Sequence, residues 1–253
     1  MQTIYLVHNY IAHQTLSLNS EKHSTPTFNW FDTTGSVGKL IVMSLYFLSS
    51  RGSRLYEHAC KGNWKEVRDM LNRGANVNYR DFHSGRTALN AASYIGSRRV
   101  VRMLLDQEGV DVNSQDGWGD TALIEASLGG KVGVVRVLLN HEGVNVNIRS
   151  NSGSTALIDA CEKGNLEVVL ALLDHERVNV NIRDNHGDTA LILASKNGHA
   201  EVVGALLNHD GVDANATNNR GSTALDVARR GQKHAVVLLL EQHLERRENL
   251  LEE

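Results

Sequence analysis

The chain has 253 residues, of which 41% are apolar and 22% are charged, a balance typical of a soluble globular protein. Its net charge of -3 and pI near 6.5 argue against nucleic acid as a principal partner and against acidic substrates, because no broad positive field is present. The two cysteines, Cys60 and Cys161, lie far apart without metal-ligand spacing. We therefore expect a reducing compartment, either the cytoplasm or the nucleus.

The first 51 residues differ in composition from the rest of the chain. Residues 1–38 mix Thr, Ser, Asn and His without a helical or strand period, which favours disorder over a short appended element. Residues 39–51 include the apolar run Leu40–Leu48, and its nine residues are too few to cross a bilayer, which takes about 20. We expect a helix that caps the first structural unit rather than a membrane-surface anchor, because basic flanks are lacking.

From about residue 52 to residue 240 the chain is a tandem repeat with a period of 34 residues. Five full copies begin with Thr-Ala-Leu, and each continues with an Ala, a Gly and a Val-Val pair at nearly constant spacing. A sixth, degenerate copy precedes them and starts at Ser53. The five full copies begin at Thr87, Thr121, Thr155, Thr189 and Thr223.

Each copy predicts two short helices. The Thr hydroxyl can cap the first helix, and the Leu and Ala that follow line its inner face. The Gly lies where that helix must end and reverse, since a left-handed residue is least costly without a Cβ. Val and Leu at spacings of three and four give the second helix an apolar stripe, which only stacked neighbours can bury. The sequence predicts an all-α repeat solenoid of about six helix-turn-helix units.

A 34-residue period alone also fits a tetratricopeptide array, but each copy here contains a non-helical stretch rich in Asn and Gly, such as residues 141–153. Residues 52–240 resemble the ankyrin-repeat family, whose pattern is Gly-x-Thr-Pro-Leu-His-x-Ala-Ala, then Gly-His-x-x-Val-Val-x-Leu-Leu, then Gly-Ala-Asp-Val-Asn. The chain has Ala in place of Pro, and one extra residue before each Val-Asn predicts a slightly longer loop. The family's His, which forms hydrogen bonds between repeats, is replaced here, so those bonds are not carried over. The replacing residues are Asn90, Ile124, Ile158, Ile192 and Asp226.

Other features receive structural interpretations. Residues 241–253 place Leu244, Leu250 and Leu251 among Glu and Arg, which is typical of a polar capping helix. His141, His175 and His209 recur at the repeat period, but they lie in successive loops too far apart to share a metal ion, so solvated loop positions are expected. Cys161 is expected to be a small core residue. We expect neither cofactor nor metal ion.

The resemblance also implies where a partner binds. In the ankyrin family, partners contact the hairpin tips and the exposed end of each first helix, along a concave face. Phe82, Tyr94 and Trp118 all map to this face in the second and third repeats, and we interpret them as a binding hot spot. The alternative is that each ring simply packs on a neighbouring hairpin. The candidate residues at the tips are Phe82, His83, Arg86, Trp118, Asp120, Asn151, Ser154, His186, Asp188, Arg220 and Ser222, and those at the helix ends are Tyr94, Ile95, Leu128, Glu162, Lys163, Lys196 and Arg230.

The sequence thus favours a protein-interaction module or adaptor, expected to be a monomer, over an enzyme. No small-molecule substrate is expected, since the roughly 65 residues outside the repeats are too few for a catalytic domain. Two alternatives remain open. In the first, the chain is a regulatory or targeting subunit of an enzyme. In the second, it is a scaffold attached to a membrane through residues 40–48.

Overall fold

The computed structural model describes residues 50–252, and every regular element within them is a helix. The all-α prediction is confirmed for this part of the chain, whereas residues 1–38 and nearly all of the apolar segment 39–51 lie outside it. The first helices of the six repeats are α1 (Arg51–Cys60), α3 (Ala88–Ile95), α5 (Ala122–Leu128), α7 (Ala156–Lys163), α9 (Ala190–Asn197) and α11 (Ala224–Arg230). The second helices are α2 (Trp64–Asn72), α4 (Arg98–Leu105), α6 (Val132–Leu139), α8 (Leu166–Leu173), α10 (Ala200–Leu207) and α12 (His234–Glu252).

The helices pack in two rows. Each first helix contacts the first helix of the next repeat, from α1 through to α11, and each second helix contacts the next second helix, from α2 through to α12. Each first helix also packs on the second helix of its own repeat. The predicted solenoid is therefore confirmed, because every pair buries its apolar side against the repeats on either side.

The repeated Thr and Ala residues act as the sequence predicts. The Thr155 hydroxyl accepts a hydrogen bond from the backbone N–H of Ile158 at 3.3 Å, and the other four Thr residues cap their helices in the same way. Ala160, which follows on the inner face, is fully buried. Gly164 ends α7 at φ 73°, and a Cβ there would lie 2.6 Å from the ring of His199. A side chain at this position is therefore disfavoured by both conformation and space.

Between α-helical pairs the chain forms short hairpins that are joined to one another at their tips. In the fourth repeat, the Ser150 N–H donates to the Ser154 carbonyl at 2.8 Å and closes one hairpin. The Asn151 N–H then donates to the Trp118 carbonyl of the preceding hairpin at 2.9 Å, and its side-chain amide donates to Gly117 at 3.1 Å. Asn185 and Asn219 repeat both contacts one and two repeats later.

A second series of contacts joins the loops that follow the second helices. The Asn147 side chain donates to the Arg177 carbonyl at 2.8 Å and accepts from the Asn179 N–H at 2.9 Å. Asn78, Asn113 and Asn181 bridge their own neighbours in the same way. These bonds join consecutive repeats although the family's His is absent.

One of the residues that replace the family's His does form hydrogen bonds between repeats. The Asn90 amide donates to the carbonyls of Ser114 and Asp120 in the next repeat, at 3.2 and 3.1 Å. The departure from the family's His left these bonds open, and at this position they do form, because an amide side chain can donate where an imidazole otherwise would.

The loop histidines have a structural role in the turns. His141, His175 and His209 are each half-buried, and each ring accepts a hydrogen bond through Nδ1 from the backbone N–H two residues later, at 3.2 to 3.3 Å. They hold the turn that accommodates the extra loop residue. Cys161 is fully buried in α7, as predicted, and burial raises the pKa of its thiol.

The last helix is the longest of those described. α12 runs without a break from His234 to Glu252, so residues 241–252 continue the second helix of the sixth repeat. Leu240 is fully buried on it, while the Glu241 carboxylate contacts the Arg229 guanidinium at 2.6 Å. No helix among residues 50–252 combines the length and apolar character needed to cross a membrane.

Candidate functional site

The hairpin tips and the last turns of the first helices form the surface on which most of the candidate residues lie, and we call it the tip face. The candidates differ in exposure. Those that are exposed are Phe82, His83, Tyr94, Ile95, Trp118, Asn151, Lys163, His186, Lys196, Arg220 and Arg230. Those that are half-buried are Arg86, Asp120, Leu128 and Glu162, and those that are buried are Ser154, Asp188 and Ser222.

An ion cluster centred on Arg86 organises the tip face in the second and third repeats. The Arg86 Nε donates to the Asp116 carboxylate at 3.1 Å, and its guanidinium also contacts the Glu125 carboxylate. Both acids have buried side chains, whereas the arginine keeps 22% of its side chain exposed. Burial of the guanidinium would lower the pKa of Arg86, but the hydrogen bond that Arg86 donates to Asp116 and the charges of both acids outweigh it and raise that pKa.

Two aromatic rings lie against the same guanidinium. The Arg86 Cζ is 5.1 Å from the ring centre of Tyr94 and 5.2 Å from that of Trp118. These distances are typical of cation–π contacts. The arginine thus contacts two rings that come from different repeats, while the buried carboxylates of Asp116 and Glu125 balance its charge.

The rings remain accessible despite these contacts. Phe82 is 78% exposed, Trp118 57% and Tyr94 50%, and we call these three residues the aromatic patch. Ile95, next to Tyr94 in the chain, is 47% exposed. Aromatic side chains that are held in place and yet exposed are typical of interface anchors.

Carboxylates dominate the middle of the tip face. Burial, reinforced by neighbouring acids, raises the pKa of Asp120 to about 6 and that of Asp159 to about 6. Burial also raises the pKa of Glu125 to about 7, although Arg86 acts against it. The Ser154 hydroxyl donates to the Asp159 carboxylate, which explains why this predicted tip residue is buried.

The same carboxylates are the closest approach to a metal site among the described residues. One oxygen from each of Asp116, Asp120 and Glu125 lies within 4.8 Å of the others. Arg86 already supplies a positive charge to two of them, so the arrangement is an ion cluster of the protein's own side chains.

A groove of about 520 Å³ lies at the other end of the tip face, between the fifth and sixth repeats. Its exposed charged side chains are Lys196, Arg220 and Arg230, and we call it the basic groove. The buried Asp188 carboxylate within it accepts a hydrogen bond from the Asn218 amide at 2.6 Å. The remaining lining residues are His186, Asn219, Val227 and Gly231.

Comparison with known families agrees with this architecture. Three models described as ankyrin repeats match the chain, over residues 56–105, 96–184 and 172–228. The chain belongs to the ankyrin-repeat family. Ankyrin repeats are generally protein–protein interaction modules, and the fold is typically non-catalytic.

Two solved ankyrin structures are similar to the chain. The ankyrin repeat protein EF0377 is 28% identical with a TM-score of 0.70, over 76% of this chain and 98% of that one. An ankyrin repeat domain from Acinetobacter baumannii is 30% identical with a TM-score of 0.67, over 75% of this chain and 96% of that one. Serine/threonine-protein kinase 12 of Arabidopsis thaliana is 37% identical over only 68 residues, which are 27% of this chain and 14% of the kinase.

Sequence reasoning missed three acids of the tip face, namely the buried Asp116 and Glu125 and the half-buried Asp159. Glu125 and Asp159 both stand four residues after the capping Thr. Other repeats have Ala91, Leu193 or Val227 at this place. A carboxylate at a position otherwise occupied by apolar residues was the available signal, since buried charges need partners.

Proposed function

We propose that this ankyrin chain is an adaptor that binds a partner protein through its tip face, with the aromatic patch as the principal anchor. The observation that carries the proposal is the pair of half-exposed rings held by Arg86. Trp, Tyr and Arg are enriched among residues that dominate binding energy. A ring that is already ordered loses less conformational freedom on binding, so more of its contact energy appears as affinity.

The backbone beneath the patch supports the same proposal. The Trp118 carbonyl is bonded to Asn151 of the next hairpin, and the Trp118 N–H donates to Asp116 Oδ1 at 2.8 Å. The Asp116 side chain therefore fixes both the arginine and the tip that carries the tryptophan. A partner would meet a surface that needs little rearrangement.

The test is capture of partner proteins from a cell lysate on the full chain and on a variant carrying Phe82→Ala, Tyr94→Ala and Trp118→Ala. A protein retained by the wild type and lost by the variant supports the proposal. The matched control carries Leu170→Ala and Leu238→Ala, which remove exposed apolar side chains from second helices. Circular dichroism should show that all three proteins are folded.

Equal retention of the same protein by the wild type and the aromatic variant would contradict the proposed anchor. Loss on both the aromatic variant and the leucine control would indicate nonspecific apolar adsorption instead. The compartment proposed for the adaptor, the cytoplasm or nucleus, is checked by imaging a fluorescently tagged full chain.

A further inference from the structure

The basic groove holds three cations, and the acid that acts on one of them, Asp226 near Arg230, is exposed and accepts hydrogen bonds from Thr223. Lys196, Arg220 and Arg230 are all exposed, and none of them has a Glu or Asp oxygen within 4.0 Å in this part of the chain. Elsewhere on the tip face, Arg86 contacts two acids and Lys163 lies 3.6 Å from Glu162. The groove therefore has positive charge that the protein itself leaves available.

Hydrogen bonds hold the residues that carry two of these cations, Arg220 and Arg230. The Arg230 guanidinium donates to the Ser222 hydroxyl at 3.2 Å. The Arg220 N–H donates to Asn218 Oδ1 at 3.0 Å, and the same Asn218 amide reaches Asp188. The hairpin that carries Arg220 and α11, which carries Arg230, both belong to the sixth repeat and are joined by the Arg230–Ser222 bond, whereas Lys196 lines the groove from the fifth repeat.

The one acid inside the groove does not cancel this charge. Asp188 is 6% exposed, and its side chain is engaged by Asn218. Counting Lys196, Arg220 and Arg230 against Asp188 leaves an excess of positive charge at the opening. A ligand with carboxylates would gain charge-assisted hydrogen bonds there, and Arg220 and Arg230 are suited to bidentate contacts.

We propose that the basic groove binds an acidic segment of the partner protein, with Lys196, Arg220 and Arg230 contacting its Glu or Asp side chains. The proposal rests on the adaptor function and names the chemistry of the partner. A long phosphate backbone fits less well, because the chain carries a net charge of -3 and the neighbouring repeats present Asp159 and Glu162.

The repeat geometry also sets a spacing for the partner. Trp118 and Arg220 occupy the same position three repeats apart. Packed helices lie about 8–10 Å apart, so the two sites are separated by about 24–30 Å. An extended chain advances about 3.3 Å per residue, which places the acidic residues of the partner about eight residues from its apolar anchor.

The direct test measures binding of fluorescein-labelled octaglutamate to the full chain by fluorescence anisotropy at low ionic strength. The groove variant carries Lys196→Gln, Arg220→Gln and Arg230→Gln. The control variant carries Arg98→Gln, Arg136→Gln and Arg177→Gln, which remove the same charge from exposed arginines on second helices and a loop. We expect about tenfold weaker binding for the groove variant, because three exposed ion pairs with the peptide are lost, and less than about twofold change for the control.

Other outcomes overturn the proposal. Equal losses in both variants would show a response to overall charge, and absence of binding to the wild type would show that the groove does not take carboxylates. Tighter binding of a labelled single-stranded DNA 12-mer that depends on the three groove residues would assign the groove to nucleic acid. Octaglutamate has no apolar anchor, so this result stands or falls independently of the aromatic patch.

Discussion

The two ends of the tip face use the same positions of the repeat for opposite chemistry. Three residues before the capping Thr, the third repeat has Trp118 and the sixth has Arg220. Seven residues after the Thr, the second repeat has Tyr94, whereas the fifth and sixth have Lys196 and Arg230. The backbone at these positions is equivalent, so the difference lies in the side chains alone.

The two ends also differ in how charge is balanced. At the aromatic end the cation, Arg86, contacts two rings and two buried carboxylates, so its charge is balanced within the protein. At the basic end the cations line an open groove, and none of them has a carboxylate oxygen within 4.0 Å among the described residues. A charge at the first end should therefore matter for stability, and a charge at the second end for binding.

The largest expected effect comes from removing the internal cation. Arg86→Ala should lower the free energy of unfolding by about 3 kcal/mol, because it leaves Asp116 buried without a counter-charge and removes the ionic partner of Glu125, which then takes up a proton. The matched change at the other end, Arg220→Ala, should alter it by less than about 0.5 kcal/mol, as expected for an exposed residue without an ion pair. Urea unfolding followed by circular dichroism measures both, and similar losses in the two variants would remove the distinction between the ends.

The repeat frame was predictable because each of its residues acts locally or on the adjacent repeat. A Thr cap such as Thr155, an inner-face Ala such as Ala160 and a turn Gly such as Gly164 each have one physical role at a fixed spacing. Because the same spacing occurs in five full copies, the pattern is recognisable in the sequence. The fold therefore follows from spacing and residue type.

The chemistry of the tip face was predictable only in part. The candidate residues included Arg86 and Asp188, but spacing does not reveal that Arg86 reaches Glu125 in the next repeat, 39 positions later. Nor does it reveal that Asp188 is buried by a contact from Asn218. Such contacts depend on which way side chains extend across neighbouring hairpins, and sequence periodicity carries no information on that.

Three acids at the aromatic end and in the middle of the tip face predict an effect of pH on stability. Glu125 has a pKa raised to about 7, and Asp120 and Asp159 have pKa values raised to about 6. Each group binds its proton more tightly when folded than when unfolded, so the free energy of unfolding should rise as pH falls from 8 to 5.5. With a discount for partial exposure, we expect these groups to contribute about 1–2 kcal/mol of that rise.

The measurement compares the wild type with a variant carrying Glu125→Gln, Asp120→Asn and Asp159→Asn, by urea unfolding at both pH values. The two proteins have the same histidines, so the contribution of these residues cancels in the difference. The variant should show a smaller change with pH than the wild type. An identical pH dependence would mean that these carboxylates keep ordinary pKa values in the folded chain.

The smallest expected effect separates the stability of the aromatic end from its proposed binding role. Trp118→Ala should lower the free energy of unfolding by only about 0.5–1 kcal/mol, because the exposed ring loses little more than its contact with Arg86. A double-mutant cycle with Arg86→Ala isolates that contact and should return a coupling of similar size. A loss above about 3 kcal/mol for Trp118→Ala would instead make the ring a packing element of its hairpin. In that case, loss of partner capture by the aromatic variant would reflect a damaged hairpin. The anchor role of Trp118 therefore requires that Trp118→Ala cause only a small loss in the free energy of unfolding.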